Sequence, residues 1–128
     1  MKLKKIYIKK METIGLDTSA MHVEDYEEKS IISFTDERNG EVFIISMVFY
    51  KDDYNYEVVV RKKVNVIDRL NVLEKINKCN MIYSKLSFFL ESNEIYGLRY
   101  YNKYEGNPDI FAINIVNALK ILSANNIQ

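Results

Sequence analysis

Apolar residues recur at helical spacing at the start of the chain. Leu3, Ile6, Tyr7, Met11 and Ile14 share one side, while Lys2, Lys5, Lys9 and Glu12 fall elsewhere. Gly15 is placed to end this helix in a left-handed conformation, with Leu16 returning towards Met11. The period then changes. Ser30 to Thr35 is a short apolar run, Asp36 to Gly40 a turn, and Glu41 to Tyr50 a second strand. Asn39-Gly40 supplies the positive backbone angles of a tight hairpin. Lys51 to Asp53 makes the next turn and Tyr54 to Val64 the third strand, which completes an antiparallel meander.

A second helix is expected from about Asn65 or Val66 to Ile82. Its buried stripe is read as Val66, Leu70, Leu73, Asn77 and Met81, with Ile76 alongside and Asp68, Arg69, Glu74, Lys75 and Lys78 in water. Ser84 to Glu91 alternates as a strand, Ser92-Asn93 turns, and Glu94 to Tyr104 returns. On that return, Tyr96, Leu98, Tyr100 and Tyr104 share one face, opposite Ile95, Gly97, Arg99 and Lys103. The last helix has the plainest start: Asn107 to cap, Pro108 at the first turn, Asp109 at the positive end of the dipole. Phe111, Ile115, Ala118, Leu119 and Leu122 form its stripe, and Ile110, Ile113, Val116 and Ile121 widen it beyond one packing surface. The order is α-β-β-β-α-β-β-α, an α+β domain with three helices.

Composition narrows the class. The 128 residues carry 18 basic and 18 acidic side chains, so the chain is neutral overall, and 48% are hydrophobic. That is one globular domain over 1–128, with no linker or repeat to divide it. The longest uncharged stretch, Ile110 to Leu119, is about half of the ~20 residues a membrane span needs, and no signal peptide is evident. Cys79 is the single cysteine, which suits a reducing cytoplasm. Ile, Lys, Asn and Tyr, at 16, 14, 13 and 10 residues, have AT-rich codons and point to a low-GC bacterial or phage genome.

The stretch Asn71-Val72-Leu73-Glu74-Lys75-Ile76-Asn77-Lys78-Cys79-Asn80, followed by Lys85 to Leu90 and the Ser92-Asn93 turn, resembles the YbjN-type branch of the type III secretion chaperone-like superfamily. The resemblance covers nearly the whole chain in element order and about 20 residues in detail. It implies a five-stranded antiparallel sheet with helices packed on it, a homodimer, and a role in binding or regulating other polypeptides without catalytic residues. Fold analogy alone does not assign function.

His22, beside Glu24 and Asp25, is a solvated loop histidine on this reading, since a metal site wants two or three ligands on rigid elements. Cys79, among Lys75, Lys78 and Asn80, reads as a structural thiol. The acidic pairs Glu24/Asp25, Glu27/Glu28, Asp36/Glu37 and Asp52/Asp53 are adjacent in turns, not opposed across a cleft as acid–base pairs are. No nucleophile–base set, phosphate-cradling loop or zinc pattern occurs. The expectation is therefore no enzyme, no cofactor and no metal.

Lys2, Lys4, Lys5, Lys9 and Lys10 crowd the first helix without Arg, which reads as a solvated face and disfavours nucleic acid as partner. Asn77 and Asn80 are assigned structural polar roles, with Asn77 on the apolar stripe bonding backbone where the helix meets the next strand.

The aromatic load is the functional lead. Tyr54, Tyr56, Tyr96, Tyr100 and Tyr104 are the candidate partner-binding residues, on the third and fifth strands of the predicted order. The second strand is apolar on both faces, with Val42, Ile44, Val48 and Tyr50 opposite Phe43, Ile45, Met47 and Phe49. Either helices cover both faces, or one face meets a partner. The expected function is a chaperone-like or regulatory protein-binding module, cytoplasmic and homodimeric, acting through an aromatic sheet or helix surface. The alternative is a phage or mobile-element inhibitor that blocks a host defence protein.

Overall fold

The computed structural model describes residues 1–127. Three helices, α1 (Lys2–Thr13), α2 (Arg69–Ile82) and α3 (Asp109–Ala124), accompany six strands: β1 (His22–Asp25), β2 (Lys29–Arg38), β3 (Glu41–Tyr50), β4 (Asn55–Lys63), β5 (Leu86–Ser92) and β6 (Ile95–Lys103). The strands form one antiparallel sheet in the order β1-β2-β3-β4-β6-β5. The α+β class and the three helices stand as expected. The sheet has six strands and not five, because residues 22–25, read as a loop, pair with Ser30–Ser33 of β2. All four are exposed, so no hydrophobic alternation marks them. They are held instead by polar contacts: Asp25 accepts from Lys4 Nζ at 2.8 Å and from Ser30 Oγ at 2.5 Å.

Local signals set the junctions. After α1, Leu16 N–H donates to Met11 C=O and Gly15 N–H to Glu12 C=O, with Gly15 at φ +91°, the ending its sequence announces. Asn39 and Gly40 both take positive φ in the β2–β3 turn. The β3–β4 turn does more than reverse the chain. Asp52 accepts from the backbone of Tyr54 and Asn55, while Asp53 accepts from Lys2 and Leu3 N–H and so caps α1 from a distance. Asn107 Oδ1 accepts from Asp109 N–H at the start of α3.

All three helices lie on one face of the sheet. Phe111 of α3 is the hub there, in ring contact with Tyr7 of α1, Phe49 of β3, Tyr56 of β4 and Tyr104 beyond β6. Asn114, also buried, donates to Tyr56 Oη at 2.8 Å, so the one amide in this wall of α3 is satisfied. On α2 the buried residues are Val72, Ile76 and Cys79, with Leu73 partly covered. The expected stripe is displaced: Leu70, Asn77 and Met81 are exposed, and α2 starts at Arg69 with Asp68 as its cap. Apolar residues surround α2 on every side, so the pattern alone admits more than one phase.

Candidate functional site: the bare sheet face

The register defines the face that no helix covers. One row across β2, β3, β4, β6 and β5 is Thr35, Ile44, Arg61, Gly97 and Phe89, and the next is Ser33, Ser46, Val59, Arg99 and Ser87. A third row carries Ile31, Val48, Glu57 and Tyr101. Val42, Ile44 and Tyr101 are 52%, 37% and 59% exposed here, whereas on the other face of β3 Phe43, Ile45, Met47 and Phe49 are buried under the helices. Of the two possibilities the sequence left open, one face is bare.

Long side chains lie along the middle of this face. The guanidinium groups of Arg61 and Arg99 flank the Phe89 ring, at 5.7 and 5.6 Å from its centroid. Arg99 Nε stands 2.6 Å from Glu57 Oε1, and Tyr50 Oη donates to Glu57 Oε2 at 3.0 Å. Arg61 Nε lies 3.4 Å from Glu91. These side chains account for the burial of Val59 and Glu57, 2% and 3% exposed, with no helix above them. Burial, reinforced by the hydrogen bond to Glu57, pushes the Tyr50 phenol well above its ordinary range. Beside this cluster Glu28, Tyr50, Asn55, Tyr101 and Lys103 line an open depression of about 590 Å³.

The five candidate tyrosines do not converge on this face. Tyr56 and Tyr96 are fully buried on the helix-covered side, and Tyr100 and Tyr104 are half-buried there, Tyr104 stacked on Phe111. Only Tyr54 is open, at the β3–β4 turn, with the Lys103 ammonium over its ring. The alternation that put Tyr96 and Tyr100 on one side of β6 and Gly97 and Arg99 on the other holds. The error lay in which side the helices take. The residues passed over are Tyr50, Glu57, Arg61, Phe89, Arg99 and Tyr101. A glycine in mid-strand opposite a phenylalanine was their available signal.

The remaining polar candidates fall elsewhere. His22 is exposed on β1 and bonds Glu24, which also accepts from Tyr26 Oη. Cys79 is buried and its thiol is pushed up by burial, with Asn125 Oδ1 3.7 Å from Sγ. Asn77 is exposed, and the backbone contact foreseen for it belongs to Asn80. Among the described residues no group of three His, Cys, Asp or Glu could hold a metal ion, and no helix is long and apolar enough to cross a membrane. No family model, curated protein or solved structure matches this chain.

Proposed function

We propose that the chain is a non-enzymatic protein-binding module, chaperone-like or regulatory, that docks through the bare face of its sheet. One observation carries this reading: a broad sheet face without helices, centred on two arginines around a phenylalanine and edged by exposed Val42, Ile44 and Tyr101. Arginine and aromatic side chains are the residue types that dominate the energetics of protein interfaces. Four strands of about nine residues present roughly 30 by 20 Å, or about 600 Å², near the ~800 Å² each partner contributes to an ordinary interface. A second copy of the chain is the first occupant, because one patch then serves both partners.

The experiment is sedimentation equilibrium at micromolar concentration on the wild type and on Ile44→Lys. A wild-type dimer that becomes a monomer in Ile44→Lys, with thermal unfolding unchanged, is the expected result. A monomeric wild type at tens of micromolar would remove the second copy as occupant.

A further inference from the structure

The sheet can grow only at its two outer strands, and β5 is the longer of them. Phe88 turns its N–H and C=O away from β6, as every second residue of an outer strand must. Neither group is left open. Asn80 of α2 donates from Nδ2 to Phe88 C=O at 3.1 Å and accepts Phe88 N–H on Oδ1 at 2.6 Å. A side-chain amide thus supplies the donor and acceptor that the peptide of a seventh strand would bring. The outward N–H of Leu86 is bonded to Tyr83 C=O, and the β5–β6 register slips between Leu90 and Ser92.

We propose that Asn80 is an edge guard: it occupies the strand-addition site of β5 and prevents a second copy of β5 from pairing there. Unpaired edges are templates for another chain, and this one is self-complementary. In an antiparallel pairing about Phe88, Leu86 would face Leu90 of the second copy and Ser87 would face its Phe89. The apolar alternation of β5 would then continue across the junction. Among the residues of α2, Asn80 alone bonds the backbone of β5 among the contacts described, and only Val72, Ile76 and Cys79 of that helix are buried. Removing the amide therefore unlocks the site without dismantling the core.

The test is Asn80→Ala in the full chain, read by amide hydrogen exchange and by sedimentation beside the wild type at the same concentration. The assembly mass is expected to double at micromolar concentration, with the Phe88 N–H then donated to the second copy. Diluted until the wild-type mass returns, the variant is expected to exchange its Phe88 amide about tenfold faster than the wild type, with that of Leu98 in β6 unchanged. The doubling is counted from the wild-type mass, so the result stands whether or not the sheet face pairs. No gain in mass, or a Phe88 amide that exchanges at the wild-type rate in the diluted variant, overturns the proposal. Asn80→Asp covers the case in which the alanine variant does not fold. It keeps an acceptor for Phe88 N–H and places a charge on the edge, so wild-type mass and a slow Phe88 amide are expected. A doubled mass in that variant overturns the proposal equally.

Discussion

Phe89 and Gly97 are cross-strand partners on β5 and β6, and the Phe89 ring rests so close on Gly97 that a Cβ there would overlap the ring. Gly97 is needed for space and not for its backbone angles, since of the four glycines only Gly15, Gly40 and Gly106 take positive φ. The Arg61 and Arg99 guanidinium groups lie 5.7 and 5.6 Å from the Phe89 centroid, so a shift of the ring to make room would disturb both contacts.

Gly97→Ala is accordingly expected to lower stability by about 1–3 kcal/mol, the usual cost of overpacking. In a Phe89→Ala background the same substitution should cost far less. Urea unfolding of the two single variants and the double variant measures the coupling. Additivity within ~0.5 kcal/mol would show that ring and glycine are independent.

The Glu57–Arg99 pair is unevenly buried, with side-chain exposures of 4% and 43% respectively. Arg99→Met leaves a buried carboxylate with only Tyr50 Oη as partner, whereas Glu57→Gln leaves a guanidinium that can turn to water. Arg99→Met should be the more destabilising of the two, since breaking a buried pair is costly when the charge left behind is the buried one. Thermal unfolding at pH 7 ranks them, and the reverse order would contradict the account.

Four tyrosines resist ionisation. Burial pushes Tyr56 up to about 12, against a smaller downward pull from Asn114, and pushes Tyr7, Tyr50 and Tyr96 higher still. In the unfolded chain all of them lose their protons near pH 10. Above that pH the native state holds protons that the unfolded state has released, so stability is complete below pH 10 and falls as pH rises through 12. Ultraviolet titration of tyrosinate should show these phenols ionising only as circular dichroism reports unfolding. Ionisation of all ten near pH 10 with the fold intact would refute the burial assigned to them.

Asn77→Leu should leave stability within about 0.5 kcal/mol of wild type, because Asn77 is exposed and bonds nothing described on the following strand. A loss of more than 1 kcal/mol, read from chemical denaturation, would place Asn77 back in a structural role.

The helices and hairpins were legible because several signals coincide at each. Gly15 with Leu16, Asn39 with Gly40, and Asn107 with Pro108 mark boundaries in the chain chemistry itself. β1 was illegible for the opposite reason. His22 to Asp25 bury nothing, and their pairing is held by contacts to Lys4 and Ser30, which are distant or in the neighbouring strand. The phase of α2 was ambiguous, since Leu70 and Met81 are as apolar as Val72 and Ile76, and packing on β5 chose the second row. The site failed on a tertiary choice. The faces of β6 were separable from alternation, but which face the helices cover is decided by where Phe111 and Tyr7 find room.

The strand order has a kinetic consequence. β2, β3 and β4 meet through short turns, as do β5 and β6, so each group closes locally. The seam between them, β4 with β6, joins Lys63 to Ile95 at its near end and Asn55 to Lys103 at its far end. Everything between, α2 and β5 included, must be looped out before the seam can form. Loop entropy grows only slowly with length, but contacts this distant are what slow the folding of sheet proteins. The β4–β6 seam is therefore the longest-range pairing of the sheet, and until it forms the meander and the β5–β6 hairpin each carry an unpaired edge.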